Sequence, residues 1–402
     1  VYRIDIANGT ATQLTFHDGS AVRFPSASAD GRLIAYEFED SLWTVTPDGG
    51  EPVRLSIQVP ADEIKNPVQR KTSTDDADEL AISPDEKLAA FVIHGDVFVT
   101  SIVSKDEQEI AEPFTARVTS TPERECDLTW SPDGTQLLFS SAVNGNYDLY
   151  LARRTDEDIP WPESFDFELT RVTDSPAEES AAKFSPDGKL IAFIRGKGSL
   201  VLKYSESGEE AMLLDHWDAP IFDWSPDANW LAYSVPDENF NNDVWIVSKT
   251  GGTPYNVSRH PDDDFAPHWS ADGRRLVWTA KRSGETFDVW GVWLTRADHE
   301  RTPSQWLKKF NEDGGSDRKT DDTGDEEKKP EFPHVTIEFE RLWERVEQIT
   351  DLKGNEGAAR ISPDGKTIIF TAEHEGDEDL YRVDWNGKNL ERLTKGGAEP
   401  EQ

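Results

Sequence analysis

A tetrapeptide of the Ser-Pro-Asp-Gly type recurs seven times along the chain, and this repeat constrains the fold more than any other feature. The copies begin at Ser28, Ser83, Ser131, Ser185, Ser225, Ser270 and Ser362. Successive copies are 55, 48, 54, 40, 45 and 92 residues apart, and the blades of β-propellers repeat at about 40 to 50 residues. The repeat therefore predicts a propeller, and the step of 92 residues predicts an insertion or a degenerate blade.

The residues around each turn predict four short strands per repeat. A short apolar run ends just before the turn, as in Leu128-Thr129-Trp130, and a second run follows it, as in Leu190-Ile191-Ala192-Phe193. A third run begins with an acidic residue, as in Asp148-Leu149-Tyr150, and a fourth ends in an apolar residue and a hydroxyl, as in Val118-Thr119. Proline, aspartate and glycine each suit a tight turn. The fold class is therefore all-β, a propeller of four-stranded antiparallel blades, with most of the 14 tryptophans in the core between blades.

Counting strands predicts seven full blades preceded by a half blade, which two propellers could share. We assign residues 1–60 to the C-terminal blades of a first propeller, 61–76 to an irregular join, and 77–402 to most of a second propeller. Residues 311–331 form a charged, low-complexity insertion within one blade, and short helices are expected on either side of it, near Trp306 and Leu342. The chain starts in the middle of a strand, which predicts that it belongs to a longer protein.

Charge and composition exclude several classes of function. The net charge is −37, which argues against nucleic acid because binding there depends on Lys and Arg that neutralise phosphates. No stretch has the roughly 18 consecutive apolar residues that a membrane-spanning helix needs, so we expect no membrane insertion. Cys126 is the one cysteine, and a cysteine-based metal cluster or an internal disulfide is therefore impossible within one chain.

A search for catalytic patterns predicts no active site in these residues. The nucleophile elbow Gly-x-Ser-x-Gly and the zinc motif His-Glu-x-x-His do not occur, and we expect no catalytic residue, no metal and no cofactor. The usual binding surfaces of a propeller are its central channel and the loops of one face. Inner-strand residues that flank the turns are the default candidates, and we name His268, Arg124 and Arg360 as candidate channel or peptide contacts.

The repeated turn, with its Leu-Tyr or Val-Trp third strands, resembles the TolB-like class of propellers, which also occur in prolyl-oligopeptidase-type peptidases and amidohydrolases. A narrower match resembles the first blades of the second propeller of tricorn-type serine peptidases. It consists of Leu80-Ala81-Ile82-Ser83-Pro84-Asp85, His94-Gly95-Asp96-Val97-Phe98, Val118-Thr119-Ser120-Thr121-Pro122-Glu123-Arg124-Glu125 and Trp130-Ser131-Pro132-Asp133-Gly134. Val335-Thr336-Ile337-Glu338-Phe339-Glu340 and Glu344-Arg345-Val346 continue the resemblance.

The tricorn resemblance implies a non-catalytic role within a serine peptidase. It implies that residues 1–60 end a six-bladed propeller, that residues from about 77 onward form six blades of a seven-bladed one, and that a PDZ-like domain and a Ser/His-based catalytic domain follow Gln402. No catalytic residue of that family is matched in this chain. The implied role is to gate or channel peptides or unfolded polypeptide and to support assembly into a homo-oligomer.

Two other readings remain open at the level of sequence. One is a TolB-like propeller that binds a protein partner, and the other is the accessory propeller of an amidohydrolase or prolyl-oligopeptidase-type enzyme. A single ring closed by residues 1–60 together with the rest of the chain is also an open alternative. The exported character of bacterial relatives favours the periplasm or cell envelope over the cytoplasm.

Overall fold

The computed structural model describes residues 1–17, 21–39, 41–56, 77–102, 114–282, 284–314, 332–374 and 376–395. The chain divides into two compact units, Val1–Ser73 and Thr74–Gln402. The expected join at 61–76 lies outside the described residues, as does most of the charged insertion. The assignment of the two units to two separate propellers stays a prediction.

The first unit contains a two-stranded hairpin and one four-stranded blade, blade 1. Their strands are β1 (Tyr2–Ile4) and β2 (Ala11–Gln13), then β3 (Arg23–Ala27), β4 (Ile34–Phe38), β5 (Ser41–Val45) and β6 (Val53–Arg54). The hairpin and the blade share a small core of Leu14, Tyr36, Phe38 and Val45. This is the half blade and the first full blade that the strand pattern predicted.

The second unit contains six four-stranded antiparallel blades, blades 2 to 7, each with its strands in chain order. The strands of blades 2 to 4 are β7 (Ala77–Ile82), β8 (Leu88–Ile93), β9 (Asp96–Ser101), β10 (Thr115–Arg117), β11 (Glu125–Trp130), β12 (Gln136–Ser141), β13 (Asp148–Arg154), β14 (Phe167–Arg171), β15 (Glu179–Phe184), β16 (Leu190–Arg195), β17 (Ser199–Tyr204) and β18 (Glu210–Asp215). Those of blades 5 to 7 are β19 (Ile221–Trp224), β20 (Trp230–Pro236), β21 (Asn242–Ser248), β22 (Tyr255–Asn256), β23 (Asp264–Trp269), β24 (Arg275–Ala280), β25 (Asp288–Trp293), β26 (Val346–Gln348), β27 (Glu356–Ile361), β28 (Thr367–Ala372), β29 (Asp379–Asp384) and β30 (Glu391–Arg392). The all-β propeller fold with seven full blades is therefore confirmed.

The repeated tetrapeptide forms the same turn between the first and second strands of every blade. In blade 4, the Ser185 hydroxyl donates to the carboxylate of Asp187 at 2.7 Å and accepts the backbone N–H of Leu190 at 2.9 Å. Equivalent pairs of bonds occur in the other six blades. The fourth position has a positive φ in all seven turns, including Glu86 (61°) and Ala228 (56°), where glycine is absent. Turn geometry, rather than the glycine itself, is what the repeat preserves.

Consecutive blades of the second unit pack face to face, and tryptophan links them at the first strand. Shared hydrophobic clusters join blades 2 and 3, 3 and 4, 4 and 5, 5 and 6, and 6 and 7. The indole N–H groups of Trp130, Trp224 and Trp269 each donate to a first-strand carbonyl of the preceding blade, at 3.0, 3.4 and 3.3 Å. Most tryptophans are at least partly buried, as predicted; the two exposed ones are Trp217 and Trp343.

An insertion separates the third and fourth strands of blade 6. It contains α1 (Arg296–His299), α2 (Pro303–Gly314) and a 3-10 helix at Leu342–Arg345, close to where short helices were predicted. Trp306 and Phe310 of α2 pack with Trp293 and Trp385 of blades 6 and 7. The insertion is therefore anchored to the blade surface by aromatic packing, at least through α2.

Candidate functional site

The candidate site lies on the first strands, which are the strands that bring neighbouring blades together. First strands contact the first strands of the next blade, as β11 does with β7 and β15, and β23 does with β19 and β27. A strand at this inner position lines the centre of a propeller. Its side chains are therefore the ones that a ligand in the channel would meet.

One register of these strands carries a different side chain on each blade. This register lies two residues before the turn serine, and we refer to its members as the belt. In blades 2 to 7 the belt consists of Ala81, Thr129, Lys183, Asp223, His268 and Arg360. Arg360 is exposed and the others are partly buried. Two of the three residues proposed from sequence, His268 and Arg360, therefore occupy equivalent positions on adjacent blades.

Belt side chains reach from one blade to the next. The Lys183 ammonium donates to the carbonyl of Phe222 at 2.8 Å and lies 5.3 Å from the centre of its ring. The carboxylate of Asp223 accepts the backbone N–H of Trp269 at 3.1 Å and lies 2.9 Å from Nδ1 of His268. Burial favours a higher pKa for Asp223, but the charges of His268 and Lys183 and the hydrogen bond from His268 outweigh it and lower this pKa. Blades 4, 5 and 6 are thus joined by one chain of polar contacts.

The remaining sequence candidate, Arg124, lies apart from the belt. It belongs to the loop before β11, is 60% exposed, and its guanidinium is 3.8 Å from the carboxylate of Asp78. Arg360 differs again, because its guanidinium donates to the carbonyl of Ala359 and its side chain is exposed. A role in channel or peptide contact stays a prediction for all three.

Sequence reasoning missed Lys183 and Asp223. Lysine and aspartate are common in any sequence, and neither residue forms a recognisable motif with its sequence neighbours. Alignment of the repeats on the turn serine would have placed them beside His268 and Arg360, since the offset of two residues is the same in every blade. The useful signal was therefore the register within the repeat rather than any local pattern.

A second register of the same strands carries buried acids. It lies six residues before the turn serine and holds Glu125, Glu179, Asp264 and Glu356, all of them 3% exposed or less. Burial raises the pKa of Glu356 to about 7, although hydrogen bonds from the Thr350 hydroxyl and the N–H groups of Leu352 and Val289 oppose the shift. These acids bind groups of their own protein, and such bonds indicate a structural role.

Another repeated contact joins the start of the third strand, just after its acid, to the hydroxyl that follows the fourth strand. The backbone N–H that follows the acid donates to the hydroxyl, as Leu149 does to Thr173 and Val244 to Ser258, both at 2.9 Å. Equivalent bonds occur in blades 2, 6 and 7. The acid and the hydroxyl that predicted these strands therefore mark the two ends of a hydrogen bond between the third and fourth strands.

Three potential metal ligands converge on the first strands of blades 2 and 3. A carboxylate oxygen of Glu79, Sγ of Cys126 and a carboxylate oxygen of Asp127 lie within 4.8 Å of one another. Glu79 and Asp127 also accept the backbone N–H groups of Leu128 and Ala181 in the next blade, at 3.2 and 2.9 Å. Burial, followed by the neighbouring charges of Asp127 and Glu79, raises the pKa of Cys126 to about 12. Both carboxylates thus already serve as links between blades.

No helix in the described part of the chain is long and apolar enough to span a membrane.

Comparisons with known proteins place this chain beside tricorn-type propellers. No family model matches. The chain is 32% identical over 108 residues to a tricorn protease homolog of Saccharolobus solfataricus, which covers 25% of this chain and 10% of the relative. It is 24% identical over 260 residues to a putative tricorn-like protease C-terminal subunit of Sulfurisphaera tokodaii, covering 64% of this chain and 28% of the relative. The chain therefore spans a small part of these relatives.

The fold is also similar to that of a solved tricorn protease. The crystal structure of that protease matches with a TM-score of 0.51 and 15% identity, over 97% of this chain and 37% of the other. At this identity the likeness shows the propeller fold alone. The expected resemblance to tricorn-like propellers is confirmed, whereas the activity of the whole protein is not addressed by it.

Proposed function

We propose that this chain is the propeller region of a tricorn-type serine peptidase, in which the belt guides unfolded peptides toward an active site carried by other parts of the protein. The chain spans 10% and 28% of two tricorn-type relatives, which leaves ample length for a catalytic domain. The role proposed for these residues is passage and selection rather than bond cleavage.

The belt is the observation that carries the proposal. Lys183, Asp223, His268 and Arg360 offer groups of both charges in one register of consecutive blades. An unfolded peptide presents backbone N–H and C=O groups and side chains of either charge. A row of mixed donors and acceptors can contact such a chain without selecting one sequence. Since side chains in the row are already oriented by neighbouring blades, little ordering is needed on contact.

Blade geometry provides the selection by size. Each blade contains the same turn, and hydrogen bonds from tryptophan link blades 2 and 3, 4 and 5, and 5 and 6, so the inner strands of these blades form a stiff wall. A channel bounded by such a wall admits an extended chain and excludes a folded domain. The proposal also includes a role of the outer blade surfaces in supporting assembly into a homo-oligomer.

The proposal is tested on the full-length protein by comparing substrates of different size. Peptide hydrolysis is measured for a short peptide, a long unstructured peptide and a stably folded protein, with and without residues 77–395. We expect the intact protein to cut both peptides and spare the folded protein, and the deletion variant to lose this discrimination. Circular dichroism and size-exclusion chromatography verify that the remaining domains are folded.

Unchanged size selectivity in a folded deletion variant would contradict the gating role. Full-length protein without peptidase activity would contradict the assignment to a serine peptidase, and would favour a TolB-like binding propeller. Metal-dependent hydrolysis of amides, or a prolyl-specific cleavage pattern, would instead indicate an accessory propeller of those enzymes. Each result therefore selects one of the functions that the sequence left open.

A further inference from the structure

We infer that Trp217 and Phe240 form a docking point for an extended peptide segment that carries a bulky apolar side chain beside Lys or Arg. We refer to this pair as the aromatic ledge. The inference deepens the proposed peptide-handling function by naming the chemistry of the segment, and it rests on that function for its biological meaning. The belt is a separate set of residues.

The ledge lies at the end of blades 4 and 5 opposite the repeated turns. Links from a second to a third strand, and from a fourth strand to the next blade, leave an antiparallel blade at this end. Trp217 lies in the link between blades 4 and 5, and Phe240 lies between β20 and β21. The two rings meet edge to face, with centroids 5.4 Å apart and planes at 82°. Their side chains nevertheless remain 49% and 72% exposed.

Phe240 is held outward by a tightly bonded turn. The Asp237 carboxylate accepts the backbone N–H groups of Asn239 at 2.7 Å and Asn241 at 3.1 Å. The backbones of Asp237 and Asn241 bond to each other at 2.8 Å. Phe240 itself has a φ of 66°, which a bulky residue adopts only when its surroundings enforce it. The ring is thus fixed in an exposed position before any partner arrives.

Backbone contacts also hold the chain segment that carries Trp217. The backbone N–H of its neighbour His216 donates to the carbonyl of Gly198. Gly198 has no room for a side chain, because a Cβ there would lie 2.4 Å from the carbonyl oxygens of His216 and Asp218. The link that carries Trp217 therefore packs directly on the β16–β17 loop. Ordered aromatic rings are effective contacts because little entropy is lost when a partner covers them.

Acidic side chains surround the ledge and define the charge of its partner. Asp218, Asp237, Glu238 and Asp262 are exposed on the adjoining links. The link that carries Asp262 is tied to the ledge, since the backbone and side-chain amides of Asn242 both donate to Asp263 at 3.0 Å. Hydrogen bonds from Asn241 and Asn239 lower the pKa of Asp237, so its charge persists in mildly acidic solution. The one exposed cation on the neighbouring β16–β17 loop is Lys197, within the part of the chain that the structure describes.

Charge and shape together select a cationic, apolar segment. Contact with an exposed aromatic pair stabilises the binding of an apolar or aromatic side chain, because both surfaces are removed from water. A rim of carboxylates attracts Lys or Arg and repels an acidic segment. A second edge-to-face pair, Phe265 and Phe287 with centroids 5.2 Å apart, lies on the next blade. The 260–263 link connects blade 5, which carries Phe240, to blade 6, which carries the second pair.

The test measures binding directly, on the full-length protein and without relying on hydrolysis. The probe is a short fluorescein-labelled peptide with alternating Trp and Arg at its centre. Matched probes replace Arg with Glu, or Trp with Ala. Fluorescence anisotropy follows binding in low and high salt. We expect saturable binding of the Trp-Arg probe, weaker binding in high salt because the charges are screened, and roughly tenfold weaker binding of either matched probe.

Two variants remove the ledge and one provides a control. Trp217→Ala removes one ring, and Phe240→Asn removes the other while suiting the positive φ. Each is expected to weaken binding roughly tenfold, as loss of an exposed aromatic anchor does. Trp343→Ala removes a tryptophan of similar exposure, 42%, from the insertion of blade 6, and is expected to leave binding unchanged. Circular dichroism confirms folding of all three.

The outcomes separate this inference from the proposed function. Equal binding by wild type, Trp217→Ala and Phe240→Asn overturns the inference, even if size-selective hydrolysis is observed. An absence of saturable binding in the full-length protein also overturns it. Conversely, binding that depends on the ledge in a protein without peptidase activity supports the inference and contradicts the proposed function.

Discussion

Two registers of the same first strands behave in opposite ways. Six residues before the turn serine, four of the six blades in the second unit carry a buried acid: Glu125, Glu179, Asp264 and Glu356. Two residues before the serine, the same six blades carry six different side chains, from Ala81 to Arg360. A bulge with a positive φ at Asp127, Ala181, Ala266 and Ala358 separates the two registers in blades 3, 4, 6 and 7, so the two sets of side chains lie in different surroundings.

The difference indicates which side chains serve the fold. A repeated residue that bonds to its own protein in each copy meets a need that every blade shares. A register that varies from blade to blade meets no such shared need, and its side chains can differ to suit a ligand even where some of them also link neighbouring blades. On this reasoning the repeated acids are expected to control stability, whereas the belt and the aromatic ledge are expected to control peptide handling. The following predictions, from the largest effect to the smallest, test that separation.

The largest effect is expected from the acid of blade 6. Asp264 is fully buried, and its carboxylate accepts bonds from the Arg282 guanidinium and the Trp278 indole, both at 2.7 Å. Asp264→Ala leaves the Arg282 charge buried without this partner, which costs about 3–5 kcal/mol of unfolding free energy. Glu285→Ala, which removes a 98% exposed partner of Lys281, is the control and costs about 0–1 kcal/mol. Similar urea midpoints for the two variants would contradict the structural role of the acid.

The next effect is a pH dependence of stability caused by Glu356. Its pKa of about 7 in the folded protein, raised by burial from 4.5, means that the folded state holds this proton more tightly than the unfolded state. The stabilisation of the folded state by protonated Glu356 is therefore complete below about pH 4.5 and is lost as the pH rises through about 7. It amounts to about 3 kcal/mol of unfolding free energy.

Unfolding free energies measured from pH 4 to pH 8 test this sign. The difference between wild type and Glu356→Gln isolates the residue, because the other titrating groups cancel. We expect the wild type to lose more stability than the variant as the pH rises. Glu206→Gln changes an exposed carboxylate and is expected to reproduce the wild-type slope. A wild type that gains stability relative to Glu356→Gln as the pH rises would contradict the prediction.

A smaller effect is expected from the turn serine. Ser185→Ala removes both the bond to Asp187 and the acceptor for the N–H of Leu190, at a site that is fully buried. The expected loss is about 1–3 kcal/mol, the cost of an unsatisfied buried polar group. Ser362→Ala removes the same bonds from blade 7, where partial exposure lets water replace them. We expect its urea midpoint to fall less, and equal falls would show that burial does not govern the cost.

The smallest expected effect is a gain of stability at the irregular turn of blade 2. Glu86 has a φ of 61°, a conformation that costs an ordinary residue about 1–2 kcal/mol. Glu86→Gly relieves this strain but makes the unfolded chain more flexible, so the net gain is about 0.5 kcal/mol. Gly188→Ala, at a φ of 69° in blade 4, is the opposite change and is expected to destabilise. A loss of stability in Glu86→Gly would contradict the account of the turn.

Much of the fold followed from sequence because each blade repeats the same local chemistry. The turn serine and aspartate, the acid of the third strand and the hydroxyl of the fourth marked strand ends correctly, since each residue forms a bond within its own blade. The fourth strand of blade 6 was located beyond the insertion by the same strand pattern. Repeated bonds leave repeated residues, and these are visible in one sequence.

The candidate site followed from sequence only in part. His268 was found because it precedes a tryptophan, but its partner Asp223 is 45 residues away and belongs to another blade. Contacts between blades depend on packing, which a single repeat does not encode. Trp217 shows the same limit, because a core position was predicted for most tryptophans and Trp217 is 49% exposed.

The most direct test of the account removes one belt charge while keeping its packing. Lys183→Met removes the ammonium that lies 5.3 Å from the centre of the Phe222 ring and keeps an unbranched side chain, and Lys388→Met removes an exposed lysine from a turn between β29 and β30. In the full-length protein, the measurement is kcat/KM for a long unstructured peptide divided by kcat/KM for a short one. We predict that Lys183→Met lowers this ratio several-fold and that Lys388→Met leaves it at the wild-type value. A ratio that is the same in wild type and Lys183→Met would contradict the role of the belt in guiding peptides.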